Sequence, residues 1–451
     1  MRPAYSNYSM NLSVQEFASK IFGYGARSFF AATLVLIPFR WRLDLWPRPF
    51  FPLYTDYTDF LLFSSDIALT FTVVLWLCSL WVSPRRLAAG SWLMTICVAG
   101  LTVSGWVSVL GSVDSTLSIY HAVRFVFLFF FYLYIVNEIK SPFWVIVPVA
   151  LQIIIQGIVA AGQSLAQSSL GLQWLGEHLL DPAQSGVSIV PVGGMRLLRA
   201  YGLSDHPNIL GGCLAFGLVL LLAAVLHGKN RQPLLASVGF LLAFPALVMT
   251  FSRSAWVGLM AAASFLVGCE ALALRWDSLK RAAALGAASL LVASPFLIQN
   301  FGAVQSRVNS GRIAQDDQMK ERAFLIEAGN TMLVEHSVVG IGLGGSPLAF
   351  KNHFEYFPLD YQPPHYALLT AAMETGVIGG IFYFLLLLTP LAAFALNWRT
   401  LILQPALVGT LSLLIALTVV GLFDYYTWLY APGRLWQWLA WGLFSTAWKA
   451  A

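Results

Sequence analysis

About a dozen apolar runs fill most of this 451-residue chain, each near the ~20 residues that a helix needs to cross a hydrocarbon core. They lie near 21–38, 59–83, 91–111, 119–137, 143–165, 208–227, 233–251, 254–273, 281–299, 366–391, 404–423 and 429–447. With 58% of residues hydrophobic and 10% charged, no soluble domain of this size could cover such a core. The runs show no period-two alternation, so strands are not expected. The sequence predicts an all-α polytopic membrane protein, one integral membrane domain over 1–451 with about 12 transmembrane helices. No internal repeat and no detachable soluble domain is visible. The first run follows a polar N-terminus without an A-x-A-like exit, so it is expected to direct insertion and not to be cleaved.

Every second short connection is basic: Arg85-Arg86, Lys140, Lys229 with Arg231, Arg275 with Lys280 and Arg281, and Arg399. The positive-inside rule puts these in the cytoplasm with both termini. Arg40, Arg42 and Arg48 fall on the other side and argue back, against five consistent loops. The long loops 166–207 and 300–365 then face outward, and the short cytoplasmic connectors leave the chemistry to that outer face. Within the second loop, Met319, Arg322, Ile326, Gly329 and Leu333 share one helical face by their spacing. No basic run or reader motif points to nucleic acid. Cys78, Cys97, Cys213 and Cys269 all sit in apolar runs and read as small buried hydrophobes. No His/Cys/Asp/Glu cluster has metal-ligand spacing, and no cofactor is expected.

Within Phe251-Ser252-Arg253-Ser254, Arg253 sits almost without a gap between two apolar runs. A cation there costs roughly 2.5–3.5 kcal/mol at a helix centre, less at an interface. Arg322 is placed similarly. Both could snorkel to headgroups, or grip phosphate through paired hydrogen bonds that lysine cannot make. His365, after Pro363-Pro364, is expected at the positive end of a helix dipole. It is then either a cap or a neutral general base. In Asp205-His206-Pro207-Asn208, Asp205 or His206 can cap a helix whose free N–H groups could also hold an anion. Arg196 and Arg199 just upstream could widen a basic patch. Gly340-Ile341-Gly342-Leu343-Gly344-Gly345 lacks the lysine of a phosphate loop and reads as a tight backbone path. Glu374, nine residues past His365, is expected about 13 Å deeper and structural. Asp66 and Arg124 read as an ion pair between helices, with a substrate role also open.

Together these pieces resemble the O-antigen ligase and polymerase superfamily of bacterial envelope glycosyltransferases. The matching segments are Asp205-His206-Pro207-Asn208, Ser252-Arg253, Arg322 followed by His336-Ser337-Val338-Val339-Gly340-Ile341-Gly342, His365-Tyr366, and Glu374-Thr375-Gly376-Val377-Ile378-Gly379. The likeness covers about residues 190–390. Many relatives carry asparagine after the histidine, where this chain has Tyr366.

The resemblance implies a GT-C-like fold, with catalytic residues Arg253, Arg322 and His365. It further implies an undecaprenyl-pyrophosphate-linked glycan donor and a glycan or glycolipid acceptor at the outer face of the bacterial inner membrane, facing the periplasm. The inferred reaction is metal-independent and inverting. Donor pyrophosphate is expected on Arg253, Arg322, Arg196, Arg199, His206 and Asn208. A polymerase would add a chain-length regulator as partner. The competing class is a solute or anion transporter of the same superfamily, which should show paired broken helices and an inverted repeat; neither is visible in the sequence.

Overall fold

The computed structural model describes residues 4–228, 231–308 and 312–450. Lys229 and the side chain of Met319 lie outside the described residues. The helices are α1 (Ala4–Leu36), α2 (Ser64–Val82), α3 (Trp92–Val107), α4 (Ser115–Glu138), α5 (Phe143–Ala166), α6 (Pro207–His227), α7 (Gln232–Met249) and α8 (Arg253–Leu272). They continue as α9 (Trp276–Gln299), α10 (Phe301–Val308), α11 (Arg312–Glu335), α12 (Ser346–His353), α13 (Ala367–Leu401), α14 (Pro405–Gly421), α15 (Tyr426–Leu429) and α16 (Ala431–Ala450). A long helix coincides with each of the twelve apolar runs. Among the described residues, nine helices are long and apolar enough to cross a membrane; α14 is apolar but shorter. The chain is an all-α polytopic membrane protein.

Helix α6 is the hub. Its 18-residue apolar window is 94% buried, and α5, α7, α8, α14 and α16 pack around it. Such a helix, apolar all round, belongs in the interior of a bundle. Pro207 opens it at the first turn, where no intrahelical N–H is missed.

Two short antiparallel hairpins depart from the helix-only expectation: β1 (Arg42–Trp46) with β2 (Phe60–Phe63), and β3 (Ile189–Val192) with β4 (Met195–Leu198). The run 59–83 is therefore a strand for its first residues, and α2 starts only at Ser64. The β1–β2 hairpin accounts for the basic loop that argued back. Arg40 Nε and Arg42 Nη1 both donate to Asp205 Oδ1, at 2.8 and 2.9 Å, and Arg42 Nη2 reaches Asp56. Arg48 lies 2.7 Å from Asp114. These arginines are neutralised within the fold, on the same face as the two long loops.

The run 366–391 is not one straight span. Gly376 has φ 74° and ψ 173°, and α13 doubles back there. A Cβ on Gly380 would stand 2.6 Å from that of Ala372, and Tyr366 shares a groove with Leu387 and Leu391. The first arm, Ala367–Thr375, climbs to the turn; the second, Val377–Leu401, descends through the bundle. The turn is bound by the glycine-rich strap, with Ile341 N–H donating to Met373 O, Gly342 N–H to Glu374 O and Val377 N–H to Ser337 O. His365 thus enters at the recessed end of the first arm, about 15 Å below the turn at 1.5 Å per residue. Glu374 lies nearer the loop face than His365, the reverse of the sequence expectation.

Candidate functional site

A cavity of about 540 Å³ opens where the two long loops meet the ends of α6, α8 and α14. Its lining includes Arg199, Asn208, Arg253, Arg307, Glu321, Arg322, His365 and Asp424. Residues more than 200 positions apart therefore converge on one recess.

Local chain geometry explains each placement. Between α7 and α8, Phe251 takes a left-handed conformation (φ 50°) and Ser252 precedes the first turn, so Arg253 is the first residue of α8. Phe251 packs with Val190 of β3 and Ala303 of α10, which ties three walls of the cavity together. Arg322 is carried by α11. The buried face of that helix is Leu325, Ala328 and Met332, packed on Ile341, Phe350 and Met373, whereas Ile326 is 36% exposed. The buried stripe is thus rotated by about a residue from the one the sequence suggested. Gly329 on the same side lets Pro364 approach so closely that a Cβ would lie 2.6 Å from Pro364 Cγ, which seats His365 beside α11. Gln362 Nε2 donating to Glu321 Oε1 at 2.9 Å repeats the tie.

His365 lies two residues before α13, with Tyr366 as the N-cap, so the proline pair is outside the helix. Burial is the main cause that pushes its proton affinity below the usual imidazole range. Asp424 opposes this, Arg322 adds to it, and Glu321 opposes it. Nδ1 is buried, has no hydrogen-bond partner among the described residues and stands 3.8 Å from Asp424 Oδ1. The ring packs against Tyr425 at a centroid distance of 5.0 Å. The second oxygen of Asp424 accepts from Asn208 Nδ2 at 3.1 Å, and Asn208 Oδ1 accepts from Arg199 Nη2 at 2.5 Å.

Arg199 is 6% exposed and, among the described residues, donates to three neutral acceptors: Thr250 O, Ser188 Oγ and Asn208 Oδ1. Burial, and next the nearby Arg307 cation, bring its pKa down to about 9. Arg307 is lowered by burial and by Arg253. Crowded guanidinium groups of this kind are relieved by an entering anion, and their planar forks match phosphate oxygens.

Not every candidate from the sequence reaches the cavity. Arg196 is exposed and donates to the carbonyls of Pro182 and Gln184. His206 caps α6, its Nδ1 accepting from Asn208 N–H at 3.1 Å; burial above all, then Arg199, lowers its pKa to about 3. Asp205 is taken up by Arg40 and Arg42. Glu374 accepts from Ser346 Oγ and from Trp428 Nε1, and Arg124 pairs with Asp66 at 2.6 Å. Three charged lining residues were missed. Asp424 could have been found, since an acid between two apolar runs stands out as Asp66 does. Arg307 and Glu321 sit in a polar loop, where charge gives no contrast. Among the described residues, no group of three or more His, Cys, Asp or Glu is placed to hold a metal ion.

Residues 238–384 match the family model for O-antigen ligase. That stretch, about a third of the chain, is similar to O-antigen ligases. A general role in membrane glycan ligation or polymerisation follows, with a lipid-linked glycan as the kind of substrate such a domain handles. No curated protein matches the chain. The matched stretch contains Arg253, Arg307, Arg322 and His365, while Arg199, Asn208 and Asp424 come from outside it.

Proposed function

We propose that this protein is an inverting, metal-independent glycosyltransferase. In this reading it moves a glycan from an undecaprenyl-pyrophosphate carrier to an acceptor sugar or lipid at the periplasmic face of the inner membrane. The observation that carries the proposal is the convergence of Arg253, Arg322 and His365, from three separate elements, on one recess. His365 takes the proton of the acceptor hydroxyl through Nε2, the nitrogen away from Asp424. That hydroxyl attacks the anomeric carbon, and the bond to the pyrophosphate oxygen breaks on the opposite side. Arg253 and Arg322 neutralise the charge developing on the leaving group, with Arg199 and Arg307 extending the cationic wall. Where preorganised donors face developing charge, such stabilisation is worth several kcal/mol. A small shift of the ring would let Nδ1–H donate to Asp424, fixing the tautomer and supporting the imidazolium as it forms.

The carrier reading needs paired broken helices around a midplane site. Helix α13 is broken at Gly376 and again at Asn397, and the hairpin at Gly376 lies at the loop face with its backbone groups bound to the strap.

The test uses purified protein in nanodiscs with the lipid-linked donor. His365→Ala should bind donor normally and transfer nothing, because a base acts on the acceptor. Arg253→Lys and Arg322→Lys should each weaken donor binding about tenfold, since a point charge cannot reproduce the fork. Wild-type transfer by His365→Ala would end the general-base role. Surface glycans of a strain lacking the gene separate two outcomes: long chains lost from their anchor indicate a ligase, single repeats left on it a polymerase.

A further inference from the structure

Two carboxylates line the cationic cavity, Asp424 and Glu321, and the proposed reaction gives work to Asp424 alone. Glu321 stands at an unexpected place on its helix. The buried stripe of α11 is Leu325, Ala328 and Met332. One turn back from Leu325, the same face reaches Glu321. A position that is apolar along the rest of the stripe is therefore an acid where the stripe meets the recess. Among the described residues, Glu321 accepts from the neutral amide of Gln362 and forms no ion pair with Arg199, Arg253, Arg307 or Arg322. Gln362 opens the segment Gln362-Pro363-Pro364-His365, which spans at most about 10 Å and is stiffened by its proline pair. The carboxylate is close enough to His365 to act on its proton affinity, against the effect of burial. An acid and an amide thus stand together beside the base.

We propose that Glu321, with Gln362, binds the acceptor sugar by taking hydroxyl groups next to the one that His365 deprotonates. The inference rests on the transfer reaction of the proposed function. Charge gives the first reason. A carboxylate in the wall of the cavity repels a pyrophosphate and weakens donor binding, so its use lies with a ligand that brings hydrogen-bond donors and no negative charge. Chemistry gives the second. A carboxylate offers about four lone-pair sites, of which Gln362 fills one, and hydrogen bonds to an ionised acceptor are roughly twice as strong as neutral ones. Sugar hydroxyls supply the donors, and the Gln362 amide can give and receive beside them. Position gives the third. The leaving group departs on the side opposite the attacking hydroxyl, so acceptor contacts belong around the base, where Glu321 and Gln362 are. The same charge makes the site selective: a neutral sugar fits at the acceptor end, and a uronic acid is turned away by like-charge repulsion.

Glu321→Gln keeps the size of the side chain and removes its charge. Glu327→Gln, the same change at an exposed position of α11, is the control. The donor-site probe is undecaprenyl pyrophosphate, and the acceptor is the glycolipid extract of a strain lacking the gene, which retains unextended acceptor ends. Glu321→Gln should raise KM for the extract about tenfold, while undecaprenyl pyrophosphate binding holds or tightens and Tm stays unchanged. Glu327→Gln should change none of these. In the wild type, methyl β-glucoside should compete with the extract about tenfold better than methyl β-glucuronide, and in Glu321→Gln the difference should narrow to about twofold. An acceptor KM that does not move would overturn the assignment and leave the transfer reading standing; with tighter donor binding it would make Glu321 a counter-charge to the arginines. A lowered Tm with both substrates weakened alike would also overturn it, as a structural role. Equal competition by the two sugars in the wild type, or none by either, would remove the selectivity. If the unmodified protein transfers nothing to the extract, the transfer reading falls and the assignment with it.

Discussion

Asp424→Asn isolates the partner of the proposed base. The change is isosteric, and the side-chain oxygen can still accept from Asn208, so the link to α6 survives while the charge is removed. Asp424 Oδ1 stands 3.8 Å from His365 Nδ1. A unit charge pair at that distance interacts by roughly 1 kcal/mol in water and about 4 kcal/mol at the effective dielectric of a protein surface. For a recess that still admits solvent we take a value near the lower limit, about 1.4 kcal/mol, which is one pKa unit. The sign follows from the causes acting on His365. Burial and Arg322 disfavour the imidazolium, and Asp424 favours it. Removing the carboxylate lowers the proton affinity further.

The acid limb of the rate profile, where activity disappears as His365 protonates, already lies below the usual imidazole range. In the variant it should move down by about one more unit. At pH 7.5 the ring is neutral in both proteins, so lost protonation is not what slows the variant. What falls is the basicity of Nε2 and the hold on the tautomer, expected to lower kcat about tenfold or more, with donor KM unchanged. The assay is transfer from the lipid-linked donor between pH 5 and 9, with kcat and KM separated at each point. An unmoved limb, or a limb that moves up, would refute the role of Asp424. A raised donor KM with kcat intact would make Asp424 part of the donor site instead.

Two further outcomes are expected. Purified enzyme should keep its transfer rate in excess chelator, the guanidinium groups supplying the charge balance at the pyrophosphate; activity lost to chelation and restored by magnesium would refute this. Cysteine placed at the exposed Gln173 should react with an impermeant thiol reagent added outside cells, and cysteine at the exposed Ser141 should not; the opposite labelling would turn the site to the cytoplasm.

Where the fold was legible, the reason is the bilayer. A helix in lipid must be long and apolar, so hydropathy alone locates a helix at each of the twelve apolar runs, and a charge inside such a run is conspicuous. That contrast marked Arg253, and it marks Asp424 equally. It fails in loops, where Arg307 and Glu321 look like ordinary solvated charges until α10 and α11 turn them into a cavity. Periodicity located α11 but set its buried stripe off by a residue. Its heptad of Leu325, Ala328 and Met332 mixes with Ile326, and only packing on Phe350 and Met373 decides between them. Hydropathy is equally blind to direction. A glycine within an apolar run reads as a tolerated weak point, so the reversal at Gly376 left no sign that hydropathy could register. The depth of Glu374 was therefore inverted.

That reversal makes a last prediction, because the position of His365 depends on it. At Gly376 the backbone sits at φ 74° and ψ 173°, a region that essentially only glycine occupies, where a side chain costs about 1–3 kcal/mol before any contact is counted. A Cβ there would also collide with the carbonyl oxygen of Val338. The strap cannot simply retreat, since Ile341 and Gly342 are bonded to the carbonyls of Met373 and Glu374 on the other side of the turn. Gly376→Ala should therefore lower stability by about 2 kcal/mol or more. It should also abolish transfer, because the arm that carries His365 can no longer pack against α11. Gly23→Ala, with nothing within 4 Å of the added carbon, should match the wild type in both respects. Thermal unfolding in detergent and transfer from the lipid-linked donor read the two effects separately. A Gly376→Ala protein with wild-type Tm and rate would mean that α13 crosses the membrane as one continuous helix. His365 would then lie at the membrane surface and not in the recess beside Asp424.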